Sequence, residues 1–223
     1  MSSPTASAVD DLPLTGESLA LDLVNTTFIQ GGARGALVDA LREPADLDHW
    51  LRTRSADFGE PLRPLLDDGA PATRFHLDRY RELRAALRDL AAATVSGTTP
   101  PPGTVAAVNA AARLSTGWLE LDPDRPGVRI PRWTEPDLHL VALGEVAAAA
   151  VALFTGPSAG QVRACPAPDC ILYFVKSHAR REWCTSACGN RVRVARHSRR
   201  HREPGAGEPP AEPATGRRTE PAA

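Results

Sequence analysis

Apolar residues recur at helical spacing most clearly between Thr73 and Ala93. Phe75, Leu77, Tyr80, Leu83, Leu87 and Leu90 form one stripe, and Arg, Asp and Glu fill the opposite side. The pattern predicts a long amphipathic helix whose Arg-rich side is a solvated, salt-bridged surface. Leu138 to Phe154 is Ala-rich and apolar on most sides, which predicts a core helix. In Ser18–Phe28 (SLALDLVNTTF) the apolar positions 19, 21, 23, 24 and 28 suit a short buried helix better than a strand. Glu43-Pro44-Ala45-Asp46 predicts a helix start, with Pro in the first turn and acids near the positive end of the dipole. Leu47, Trp50 and Leu51 would be its buried face. Val105 to Leu114 reads as a further helix. Gly117 to Trp133 alternates on both sides of a Pro/Asp/Gly turn, a β-hairpin signal weakened in its second arm by Pro131. The expected fold class is therefore α+β, a mainly helical N-terminal domain with a short β-hairpin.

A length of 223 residues accommodates one medium domain and a small appendage, and 42% hydrophobic with 24% charged residues is ordinary for a globular protein. The break Gly156-Pro157-Ser158-Ala159-Gly160 separates the two. The expected organisation is a flexible N-terminus (1–16), a helical domain (17–157), a cysteine module with a basic helix (158–202), and a disordered tail (203–223) with no aromatic or branched aliphatic residue. The start of the chain lacks the basic and apolar regions of a secretory signal. The longest uninterrupted apolar run, Val146 to Phe154, is too short to span a bilayer. A cytoplasmic location and no membrane partner are expected.

The net charge of −1 conceals a split. Residues 163–202 carry ten Lys/Arg against Asp169 and Glu182, a balance of +8, which leaves −9 for the rest. An acidic body with a basic, polyanion-seeking segment follows. Only one of the 26 basic side chains is Lys, so clustering is informative where residue identity is not.

All four cysteines fall in that basic segment: Cys165-Pro-Ala-Pro-Asp-Cys170, thirteen residues, then Cys184-Thr-Ser-Ala-Cys188. Two close pairs across a medium spacer suit a tetrahedral thiolate site for one structural zinc, and four protein ligands leave no position open for water or substrate. Four thiolates also suit an iron–sulfur cluster, and buried thiols or a redox pair are the blander alternatives. Pro166, Pro168 and Asp169 fit a knuckle turn. Ile171–Val175 predicts a strand over the metal, Trp183 a packing contact, and Thr185 or Ser186 a cap for a helix from about Ser186 to His201. Knuckle, hairpin and ligand-bearing helix make a small treble-clef-like four-cysteine zinc finger. Metal binding would supply about 10 kcal/mol to its folding. The helix carries Arg191, Arg193, Arg196, Arg199 and Arg200, candidate nucleic-acid contacts, while Val192, Val194 and Ala195 would face the module. No GxSxG or phosphate-loop motif accompanies the closed metal site, so no enzyme is expected.

Trp183-Cys184-Thr-Ser-Ala-Cys188-Gly189-Asn190-Arg191, with Val-Arg-Val-Ala-Arg-His after it, resembles the CGNR zinc finger. CPAPDC followed by Tyr173-Phe174 fits the same family. Many members have four residues between the second pair, where this chain has three. Upstream, Leu19-Ala-Leu-Asp-Leu-Val-Asn-Thr26 is similar to the opening of the ABATE domain, which commonly precedes this finger. The two likenesses cover most of residues 17–200. They imply a bacterial, stress-related transcriptional regulator that binds DNA through a zinc-dependent finger, with Cys165, Cys170, Cys184 and Cys188 as the metal ligands. The N-terminal domain would then sense a small-molecule effector or mediate assembly. A single finger offers a small interface, so specific binding calls for a homodimer or further contacts. A protein-interaction adaptor using the finger as scaffold is the alternative.

Overall fold

The computed structural model describes residues 7–31, 35–67 and 69–202, with the side chains of Asp67 and of 198–202 excepted. Residues 1–6 of the expected flexible N-terminus, the whole expected tail, and the side chains of Arg199 and Arg200 lie outside the described residues. From Ser7 onward the chain is packed rather than loose: Val9 and Leu14 are buried, and the Ser7 hydroxyl donates to Asp46 (3.0 Å).

The first helix, α1 (Leu19–Val24), is buried along its whole length. It stops short of the expected Phe28. The Thr26 hydroxyl donates to the Leu23 carbonyl (2.7 Å), and β-branched Thr27 and Ile29 with Phe28 continue as a strand. This strand, β1 (Thr27–Gln30), pairs antiparallel with β2 (Ala36–Asp39), placing Phe28 opposite Val38. The hairpin was not foreseen from the sequence pattern.

The next helix, α2 (Pro44–Thr53), begins where expected. The Asp46 carboxylate accepts from the backbone N–H groups of Arg42 (3.0 Å) and Glu43 (3.1 Å), and Leu47, Trp50 and Leu51 are buried. A short α3 (Arg63–Asp67) leads to α4 (Arg74–Ser96), which ends on Gly97 in the left-handed region at φ 67°. Phe75, assigned to the apolar stripe, is 57% exposed at the start of α4. Next come α5 (Thr104–Ala112), the antiparallel pair β3 (Gly117–Leu121) and β4 (Arg129–Trp133), and α6 (Leu138–Thr155). Pro131 sits within β4, opposite Leu119.

Helices α1, α4, α5 and α6 enclose the core, in which Leu23, Leu77, Tyr80, Leu87, Val141 and Val146 have no exposure. Gly144 lets α6 press against the turn after α5: a Cβ there would lie 2.3 Å from the Ser115 nitrogen. At a mean hydropathy of 1.9, α6 is long and apolar enough to cross a membrane by composition alone, but half of it is buried in this core.

The Arg side of α4 is not a simple solvated face. Arg81, Arg84 and Arg88, at i, i+3 and i+7, point inward as a row. Arg81 donates to the carbonyls of Leu41 and Arg42; Arg84 forks onto Asp39 (2.6 Å to each oxygen) and reaches Thr26; Arg88 donates to Val24, Thr27 and Ile171. Three cations thus staple the β1–β2 hairpin and the C-terminal module to one helix. Arg74–Asp78 and Arg79–Glu82 are the solvated pairs that the pattern foretold.

The C-terminal module consists of β5 (Val162–Ala164) antiparallel to β6 (Tyr173–Val175), followed by α7 (Ser186–Arg202). Its residues Cys165, Leu172, Phe174, Cys184 and Cys188 belong to the same buried cluster as Leu23, Trp50 and Leu143. Body and module share one core.

Candidate metal centre

The first cysteine pair forms the turn of its own hairpin. Cys165 follows β5 directly, its N–H donating to the Leu172 carbonyl (2.9 Å), and the Cys170 N–H donates to Ala167 (3.1 Å). Asp169 holds φ 57° in this turn, a left-handed value that Asp tolerates better than most residues. The expected order of knuckle and then hairpin becomes a hairpin wrapped around the knuckle. The second pair enters α7: Cys184 precedes it, the Thr185 hydroxyl accepts from the Cys188 N–H (3.3 Å), and Cys188 lies in the first turn.

The four sulfurs lie within 4.8 Å of one another. Cys170–Cys184 and Cys170–Cys188 are 3.7 Å apart, and Cys184–Cys188 is 3.4 Å. Thiolates at zinc's usual bond length, in a tetrahedron, stand about 3.8 Å from each other. The residues present therefore fit one tetrahedral ion. Hydrogen bonds from Cys170 and Cys184 pull the Cys165 thiol far below the ordinary range, while the Cys165 sulfur pushes Cys170 and Cys184 up. Four thiolates this close repel one another, and a cation held among them offsets that repulsion. The donor set, all sulfur and nearly closed to solvent, suits a single structural zinc.

Gly189 and Arg191 border the cluster. A Cβ on Gly189 would meet the Trp183 ring at 3.2 Å, so the glycine lets the indole lie against α7. Arg191 was expected on the nucleic-acid side; instead its Nη2 donates to the Cys188 sulfur (2.9 Å). Asn190 accepts from the Arg193 guanidinium. The Arg196 side chain is exposed and makes no hydrogen bond or ion pair among the described residues. Val192 packs on the core, but Val194 is 65% exposed, because two residues advance a helix by about 200° and both cannot face the module.

A second group, His76, Asp137 and His139, also brings its ligand atoms within 4.8 Å. Its geometry is that of a hydrogen-bond network. The His76 Nδ1 accepts from the Thr73 N–H (3.0 Å), so Nε2 keeps the proton and donates to Asp137 (2.8 Å). The His76 and His139 rings stack at 4.5 Å and 11°, and imidazole binds metal in its ring plane, so the two lone pairs cannot meet at one ion. These side chains, with Asp48, Leu66, Pro71 and Pro136, line a cavity of about 360 Å³.

Asn25 follows α1 directly and has no exposure. Its side chain donates to the Tyr173 carbonyl (2.9 Å) and accepts from the Tyr173 N–H (3.0 Å), joining the body to β6. Glu17 accepts from the Val175 N–H (2.9 Å) and pairs with Arg181 (2.5 Å).

Comparison with protein families agrees with this geometry. Residues 17–157 match the ABATE family, "Putative stress-induced transcription regulator", and residues 161–201 match the CGNR zinc finger. Comparison with curated proteins gives no match. Neither family is one of enzymes. With the greater part of its length matched, the chain belongs to the ABATE family and carries a CGNR zinc finger at residues 161–201.

Proposed function

We propose that this protein is a cytoplasmic DNA-binding transcriptional regulator. Cys165, Cys170, Cys184 and Cys188 hold one zinc ion, which folds the module and sets the direction of α7. The observation that carries this is the convergence of four sulfurs at the base of a helix whose charge is entirely basic. A metal that fastens a cationic helix to a hairpin gives a polyanion a fixed surface to meet. The body senses an effector or mediates assembly. The cavity of about 360 Å³ beside α4 and α6 is the place in the body for a small molecule.

Anisotropy of a labelled mixed-sequence 30-base-pair duplex, titrated at several salt concentrations, tests the reading. Full-length protein with one zinc per chain should bind with affinity that falls steeply with salt. Chelation should abolish binding. Zinc-loaded protein that fails to bind at low salt sinks the proposal.

A second reading, a protein-interaction adaptor, draws on β3, where Trp118, Leu119 and Leu121 are 50%, 52% and 78% exposed. Such apolar exposure on a two-stranded hairpin suits a protein partner or a second copy. Self-association weakened by Leu121→Glu, with no DNA binding, would favour it.

A further inference from the structure

Beside α7, between that helix and the β5–β6 hairpin, runs a groove of about 400 Å³. Its hairpin rim carries Arg163 on β5 and Lys176 just after β6; its helix rim carries Arg196. Phe174 and the half-buried Trp183 form an apolar floor, and Glu182 is the one carboxylate in the lining. Arg181 also faces the groove, but its charge is matched by Glu17, and it donates to the carbonyls of Val175 and Cys184.

The remaining cations are differently placed. The side chains of Lys176 and Arg196 have no hydrogen bond or ion pair among the described residues. Arg163 donates only to the carbonyls of Gly160 and Val162, which leaves its charge unopposed by any carboxylate. Against these three charges stands the single Glu182. By contrast, Arg191 is turned to the Cys188 sulfur and Arg193 to Asn190 on the same helix. Three described cations without a carboxylate partner, Arg163, Lys176 and Arg196, thus converge on the groove from three separate parts of the module, while the exposed Arg180 lies outside its lining.

From this arrangement we infer that the groove, rather than the outer face of α7 alone, holds a stretch of DNA backbone. Phosphates lie between the hairpin rim (Arg163, Lys176) and the helix rim (Arg196), and a deoxyribose packs on the Trp183 indole. Cations on two opposed rims match the negative charge repeated along a nucleic-acid strand, and an apolar floor between them matches the sugar. Gly189 backs the Trp183 ring, so the indole is set in place before DNA arrives. The contacts read no sequence; they fix the register of the finger on the duplex.

This inference rests on the DNA-binding reading, and one experiment separates the two. Full-length protein and the variants Arg163→Ala/Lys176→Ala, Arg196→Ala and Arg193→Ala, each verified to hold one zinc, are titrated against the same 30-base-pair duplex from low to moderate salt. Each lost phosphate contact removes about 0.9 from the slope of log affinity against log salt. The double variant should flatten the slope by about two contacts and Arg196→Ala by about one, with Arg193→Ala changing it by less than half a contact. Fluorescence of Trp183, assigned by difference from Trp183→Phe, should change on binding. If the natural sequence does not bind, the DNA reading fails and the groove with it. If it binds, but the double variant keeps the full slope while Arg193→Ala loses one contact, the groove alone is overturned. Arg163→Gln/Lys176→Gln, which keeps side-chain volume on the hairpin, must reproduce the loss; if it restores the slope, the alanine effect is structural and the inference falls.

Discussion

Asn25 and Tyr173 lie 148 residues apart and clasp each other through two hydrogen bonds, side-chain amide to backbone carbonyl at 2.9 Å and backbone N–H to side-chain oxygen at 3.0 Å. Asn25 thereby takes the place of a neighbouring strand for β6. The same strand leans on the body at Val175, through Glu17, and just before its start at Ile171, through Arg88. The module is thus held by the body as well as by its metal site. Asn25 has no exposure, so Asn25→Ala would leave the Tyr173 N–H and C=O without these partners. We expect a loss of about 2–4 kcal/mol by chemical denaturation, the sum of two strong polar contacts to buried groups. Asn25→Asp should also destabilise, since a carboxylate accepts from the N–H but repels the carbonyl. A loss under about 0.5 kcal/mol would mean that this clasp is dispensable.

Much of this architecture was legible in the sequence, for reasons particular to each element. Glu43-Pro44-Ala45-Asp46 encodes its helix start locally, and the Asp46 carboxylate is found at that work. Leu138–Phe154 could be placed by its apolar content alone. The β1–β2 hairpin could not, because its strands are four residues each and the partner residues Phe28 and Val38 belong to unlike local patterns. The roles of Arg81, Arg84 and Arg88 were hidden for another reason. A basic residue at helical spacing looks the same whether its partner is water or a distant carbonyl, and their partners lie 39 to 83 residues away. In the metal centre the four sulfurs could be read from spacing. The turning of Arg191 onto Cys188 could not, because the side-chain direction depends on where α7 meets the knuckle.

Asp22 gives a pH dependence with a definite sign. Burial raises its pKa to about 6, against the pull of Arg54 and of the Glu17 and Gly16 N–H groups. The unfolded chain releases the same proton near 3.8, so the folded state binds more protons between the two values. The stability due to this group is full below about 4 and is lost as pH rises through about 6. The stability difference between the natural sequence and Asp22→Asn should therefore fall between pH 4 and 6, by at most about 3 kcal/mol, and level off above 7. Urea titrations across that range measure it. A difference that grows with pH would mean that the Arg54 pairing outweighs burial.

Gly144 tests how tightly α6 is seated. A methyl group there meets the Ser115 nitrogen at 2.3 Å and the Leu114 carbonyl carbon at 2.9 Å, both backbone atoms that a rotamer change cannot move aside. Gly144→Ala would gain helix propensity, about 1 kcal/mol, but must push two elements apart. We expect a net loss of about 2–3 kcal/mol or more. At Gly97, where a Cβ meets nothing but φ is 67°, an alanine should cost only about 1 kcal/mol. If Gly144→Ala is as stable as the natural sequence by thermal denaturation, α6 can shift without cost and the close approach is not required.

Arg191 decides between two uses of positive charge on one helix. Four thiolates around a divalent ion leave a net charge of −2, and a guanidinium at 2.9 Å from the Cys188 sulfur offsets part of it. The contact also orients Cys188 toward its neighbours. Partners of this kind typically alter metal affinity by about 10- to 100-fold. Arg191→Ala should therefore release zinc to a chelator at least about 10-fold faster, followed by the absorbance of a colorimetric zinc indicator. Arg191→Lys should recover part of the loss, because an ammonium keeps the charge but cannot present the same planar donor. The slope of DNA affinity against salt should change by less than half a phosphate contact in either variant once zinc is saturating. A phosphate-binding Arg191 would give the reverse, with ordinary zinc release and a slope reduced by about 0.9.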